Sequence, residues 1–140
     1  MLDMVSSPST ILIVEDEVFV ALDIERVLTE YGYAVGGIAM DHAEALQYAE
    51  GCTLALVDIN LRDGRTGTRI AADLYEKYRI RSVFVTANPG QIGTPPTGAL
   101  GYLCKPFDGR MLRAAIEWAL GDGYRMPDND AVVPLRRTGD

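Results

Sequence analysis

Four apolar runs in this sequence end on side chains able to do chemistry. ILIV ends at Glu15 and Asp16, LALV at Asp58, VFV at Thr86 and YLC at Lys105. One polar residue behind an apolar run is ordinarily only a helix cap. Four together place three carboxylates, a hydroxyl and an ammonium at one edge of a fold. Crowded carboxylates repel one another unless a cation sits among them, and oxygen ligands suit a hard, mostly hydrated ion such as Mg²⁺. The chain uses Arg eleven times and Lys twice, so Lys105 is a selective choice. A compact ammonium suits a point contact to phosphate or carboxylate, a structural Lys–Asp pair being the plain alternative. A carboxylate can attack a phosphoryl group to give an acyl phosphate. That transfer needs positioning and neutralised charge on the equatorial oxygens, which Mg²⁺, Lys105 and the Thr86 hydroxyl would supply.

The elements that must position these groups alternate. Residues 10–14 (TILIV) read as a strand buried on both faces. A helical period through Val18, Leu22, Val27, Leu28 and Tyr31 follows and stops at Gly32. Residues 34–39 read as a second strand, and Asp41 with Glu44 forms a capping box for a helix to about Glu50. Residues 53–57 are a third strand, and a polar loop over 60–67 leads to a helix over about 68–78. Residues 82–85 and 102–104 supply two more strands, and Asp108 caps a last helix. Strand–helix alternation means βαβ units, a parallel sheet and right-handed crossovers. Ligands of such a sheet bind outside the carboxyl ends of its strands. One segment breaks the rhythm: residues 88–100 hold three Pro and three Gly, which disfavour a helix. The domain is expected over 10–120, between a tail at 1–9 and a flexible tail at 121–140.

Composition narrows the classes further. The 140-residue chain carries a net charge of −7 and is 48% hydrophobic, as one globular domain should be. Binding of DNA or RNA needs a basic stripe, and the only basic pair is Arg136–Arg137. No apolar run nears the roughly 20 residues of a membrane span, and the first ten residues lack a signal-peptide pattern. Cys52 and Cys104 have no metal-ligand spacing and are expected to be buried and reduced. The expectation is a cytosolic domain without a membrane or nucleic-acid partner. Homodimer formation stays open.

The order and spacing of ILIVEDE (11–17), LALVDINLRDG (54–64), VFVTAN (83–88) and GYLCKPF (101–107) resemble a two-component response regulator receiver domain. The resemblance implies an α/β, flavodoxin-like, doubly wound sheet of five parallel strands, order 2-1-3-4-5, here with the fourth helix degraded. It implies that Asp58 accepts a phosphoryl group from a sensor histidine kinase or phosphotransfer protein. It further implies Mg²⁺ held by Asp16, Asp58 and Asn60, with Glu15 helping through water. Thr86, Ala87 and Lys105 would bind the phosphoryl group, Thr86 and Tyr102 would form the switch, and Lys105–Pro106 would be cis. Such a domain is a phosphoacceptor with slow self-dephosphorylation and not an enzyme proper; its downstream target is not readable. DIERVL, DGRTG and VFVTANPG are similar to alphaproteobacterial receivers, including those of general stress response regulators. Only a short tail precedes residue 10, so a stand-alone receiver is expected.

Three other classes share parts of the pattern. A phosphohydrolase of the haloacid dehalogenase type needs a second Asp two residues after the first, where this chain has Asn60. A flavodoxin needs a phosphate loop where Glu15, Asp16 and Glu17 stand. A receiver relic used only for protein binding differs in chemistry, not in fold.

Overall fold

Apolar runs without a polar break form the central strands, because a strand covered on both faces has no solvated side. The computed structural model describes residues 8–121 and 131–135. Their order is β1 (Thr10–Val14), α1 (Val18–Glu30), β2 (Ala34–Ala39), α2 (His42–Tyr48), β3 (Leu54–Val57), α3 (Gly67–Tyr78) and β4 (Arg81–Thr86). A single 3-10 turn (Pro89–Gln91), β5 (Ala99–Cys104), α4 (Gly109–Gly121) and β6 (Val132–Pro134) follow. The sheet order is β2-β1-β3-β4-β5-β6, parallel except for its last pair.

Successive strand residues face opposite sides, so the core splits in two. Ile11, Ile13, Leu56, Val83 and Leu103 pack with Ile24 and Leu28 of α1 and Leu112 and Ile116 of α4. Leu12, Val14, Val57 and Phe84 pack on the other face with Ala45 of α2 and Ile70 and Leu74 of α3. Helices on both faces make the sheet doubly wound, as expected. Half of the expected capping box forms: Asp41 accepts the Glu44 N–H at 2.9 Å, whereas Glu44 Oε1 accepts the N–H of Met40, one residue before the cap, at 2.9 Å. Asp108 caps α4 by accepting the Met111 N–H at 2.8 Å. Between β4 and β5 the chain makes one 3-10 turn, so the fourth helix is missing as its Pro and Gly content predicts.

Two expectations need correction. Among the described residues the sheet has six strands, not five, because part of the segment expected as a flexible tail over 121–140 is a strand. Val132 pairs with Leu103, Val133 with Tyr102 and Pro134 with Gly101, antiparallel. Without β6, the backbone groups of β5 would form an open edge. Gly101 permits the close approach, since a Cβ there would lie 2.6 Å from the Val133 carbonyl oxygen. The cysteines are free, but neither is fully buried: Cys52 is half-buried and Cys104 exposed. Cys104 shares a strand face with the half-buried Tyr102, at the end of β5. Residues 1–7 of the N-terminal tail and the Arg136–Arg137 pair lie outside the described residues.

Candidate functional site

Parallel strands bring their carboxyl ends to one edge. The ladder continues one residue past the strands: the Glu15 N–H donates to the Ala39 carbonyl at 2.8 Å and the Asp58 N–H to the Val14 carbonyl at 2.9 Å. Glu15, Asp16 and Asp58 thereby converge, with one carboxylate oxygen from each within 4.8 Å of the others. Asp58 is 6% exposed and Glu15 1%. Asp58 Oδ1 accepts the Ile59 N–H at 2.7 Å, and Oδ2 accepts from Lys105 Nζ at 2.9 Å. The same ammonium lies 2.8 Å from Glu15 Oε1 and 3.1 Å from Glu17 Oε2. Its strand end is tied to β4, for the Lys105 N–H donates to the Thr86 carbonyl at 3.0 Å. The Lys105–Pro106 bond is cis, as the resemblance implies.

The electrostatics follow from burial. Desolvation, with a smaller push from Asp58, raises the Glu15 carboxyl to about 7 against the opposing pull of Lys105. Burial alone would lower Lys105, but the facing Glu15 and Asp58 carboxylates hold it above its ordinary value. Glu15 Oε2 accepts the Glu17 N–H at 3.1 Å. Oε1, although beside the ammonium, has no aligned hydrogen bond. A buried carboxylate oxygen without a hydrogen bond, beside two more carboxylates, is a donor set that suits a hard divalent cation.

The other predicted residues surround this centre. Asn60 is exposed on the loop after β3, and its Nδ2 donates to Gln91 Oε1 at 2.7 Å. Thr86 is fully buried at the end of β4, where its hydroxyl accepts the Asn88 N–H at 3.0 Å. Ala87 is exposed and lines, with Glu17, Phe19, Lys105 and Phe107, a cleft of about 670 Å³. Tyr102 is half-buried on β5, opposite Phe84. Neither Ala87 nor Tyr102 belongs to the carboxylate cluster.

Three residues that bear on the site carry no chemical signal in the sequence. Glu17 reads as one more loop carboxylate, yet it reaches Lys105. Gln91 reads as loop. Gly67 opens α3 against the acceptor strand, where a Cβ would collide with the Asp58 carbonyl oxygen and lie 2.5 Å from Ile59 Cα. A glycine at a helix start behind a polar loop was the one available hint of that close approach.

The model of the response regulator receiver domain matches residues 11–117, and the chain belongs to that family. It is 35% identical over 115 residues to the phyllosphere-induced regulator PhyR of Methylorubrum extorquens, covering 79% of this chain and 43% of PhyR. It is 34% identical over 119 residues to the transcriptional regulatory protein PdtaR of Mycobacterium tuberculosis, covering 81% of this chain and 57% of PdtaR. The solution structure of the Erythrobacter litoralis PhyR receiver domain matches with a TM-score of 0.75 at 26% identity, over 91% of this chain and 98% of that one. A CheY-like receiver domain protein from Methanospirillum hungatei matches with a TM-score of 0.73 at 29% identity, over 84% and 97%. The chain spans about half the length of the curated relatives it matches. Membership of this family sets aside the haloacid dehalogenase and flavodoxin alternatives.

Proposed function

We propose that this domain is a phosphoacceptor switch in which Asp58 takes a phosphoryl group from a sensor histidine kinase or phosphotransfer protein. The observation that carries this reading is the Asp58 carboxylate, buried at a strand end with Lys105 2.9 Å from Oδ2. One carboxylate oxygen attacks phosphorus, the P–N bond to the donor histidine breaks, and the electron pair returns to the imidazole nitrogen. The product is an acyl phosphate. Lys105, already at the nucleophile, is placed to meet a phosphoryl oxygen, and the Thr86 hydroxyl and Ala87 backbone complete that contact. Glu17 keeps the ammonium from the solvent side.

Mg²⁺ would be held by Asp16, Asp58 and the Asn60 carbonyl, with Glu15 beside it. When bound, it neutralises charge on the carboxylates and on the incoming phosphoryl oxygens. Glu15, Asp16 and Asp58 fit that role by chemistry and proximity, and Lys105 alone does not balance them. We place the domain in the cytoplasm, with Thr86 and Tyr102 relaying the phosphorylated state to a downstream protein. Incubation with acetyl phosphate and Mg²⁺ tests the reading: wild type should take one label that Asp58→Asn abolishes. Label retained at full stoichiometry in Asp58→Asn contradicts it.

A further inference from the structure

Asn60 and Gln91 stand on the two loops that flank Asp58, one after β3 and the other in the 3-10 turn after β4. Their amide–amide bond, 2.7 Å long, joins residues 31 apart at the exposed rim of the site. The turn that presents Gln91 is anchored. The Gln91 N–H donates to the Asn88 carbonyl at 3.0 Å and the Ile92 N–H to the Pro89 carbonyl at 3.1 Å. Ile92, 6% exposed, is sunk in the core beside Phe84. Asn60 in turn sits between buried Ile59 and Leu61, and the Leu61 N–H donates to the Gly64 carbonyl at 2.8 Å, so both ends of the bond are held. Asp58, two residues before Asn60, is 6% exposed, so little of its carboxylate is open to water or a small donor.

We propose that Gln91 is a positioning residue which, by holding Asn60, closes the rim of the acceptor site and restricts small molecules in both directions. The inference rests on Asp58 being the phosphoacceptor. Hydrolysis of its acyl phosphate joins a water oxygen to phosphorus, breaks the P–O bond to Asp58 and returns the electron pair to the carboxylate. The water's proton leaves to solvent, and inorganic phosphate departs. An amide is a poor base, so neither Asn60 nor Gln91 takes that proton. Their effect is on access, and it applies equally to a small phosphoryl donor entering.

The test measures labelling by acetyl phosphate and loss of label in wild type, Gln91→Ala, Gln91→Met, Asn60→Ala and the Asn60→Ala/Gln91→Ala double variant. Met keeps the length of Gln and removes the acceptor, separating the bond from bulk. Both Gln91 variants should speed labelling and hydrolysis together by about three- to tenfold, the scale of one lost hydrogen bond. The double variant should be no faster than Asn60→Ala alone, since Gln91 acts through Asn60. Unchanged rates, additive effects, or a change in hydrolysis without a change in labelling each overturn the proposal. A wild type that takes no label overturns the phosphoacceptor reading itself, which these rate comparisons then distinguish from failure of the Gln91 latch alone.

Discussion

Lys105 Nζ lies 2.9 Å from Asp58 Oδ2, joining strand ends 47 residues apart in the chain. The same ammonium meets Glu15, and this three-group contact leaves a mark on stability. In the metal-free protein Glu15 titrates at about 7, against an ordinary value of 4.5. Between those values the folded state holds a proton that the unfolded chain has released. Stability must then fall as pH rises through this window and level off above it. Lys105, held above its ordinary value, stays charged in both states there and adds no slope. Asp41 and Asp63, both held below the ordinary carboxylate value, act only at lower pH. The expected fall is about 1–3 kcal/mol, since each tenfold difference in proton affinity between the folded and unfolded states is worth roughly 1.4 kcal/mol. Urea unfolding in EDTA at pH 5, 6 and 7 measures it, and Glu15→Gln should flatten the slope. Stability that rises from pH 5 to 7 contradicts this.

Divalent metal should act on the same cluster. Mg²⁺ that binds only the folded state stabilises it by mass action, by about 2.7 kcal/mol at a hundredfold excess over Kd, and so raises the melting temperature. Asp16→Ala should remove most of that response while leaving the metal-free protein folded. A melting temperature indifferent to millimolar Mg²⁺ speaks against the site.

Gly67 should tolerate no side chain. Its Cβ would enter the backbone at Asp58 and Ile59, so Gly67→Ala must shift the acceptor strand or α3. The cost should be about 1–3 kcal/mol, the range for forced overpacking, with reduced Mg²⁺ response. Gly121→Ala, where nothing among the described residues lies within 4 Å, is the control. Equal melting temperatures for the two variants would show that the site absorbs the extra methyl.

Activation should be read in the segment between β4 and β5. Drawing the Thr86 hydroxyl toward a phosphoryl group lengthens its bond to the Asn88 N–H, 3.0 Å in this state. That pull reaches Asn88, the residue that caps the 3-10 turn. Ala99–Cys104 already forms β5, so its amides should change little. Hydrogen exchange with and without beryllofluoride should show protection gained over 88–98, by ordering of a segment with little regular structure. Amides in 88–98 that do not change would place the output elsewhere, α4 being the next surface to examine.

The parts legible in the sequence share a physical cause. TILIV, LALV and VFV are unbroken because both sheet faces are covered, and each polar stop marks the edge where ligands bind. That was enough for a parallel sheet and the Glu15–Asp16–Asp58–Lys105 edge; the Pro and Gly content of 88–100 marked the missing helix, and the strand order came from the resemblance to receiver domains. β6 was illegible because three residues show no period and its partner strand lies about 30 residues away. The exposure of Cys104 depends on what fails to cover it, which no local pattern encodes. Glu17, Gly67 and Gln91 matter through proximity alone, and their neighbours are fixed only when the chain folds.

The central claim is a covalent one, that Asp58 carries the phosphoryl group. Borohydride reduces an aspartyl phosphate to homoserine, so treatment after acetyl phosphate and Mg²⁺ fixes the position in a peptide map. The account predicts homoserine at position 58, dependent on Mg²⁺ and sharply reduced in Lys105→Met. Homoserine at Asp16 or another carboxylate, with Asp58 unmodified, would contradict it.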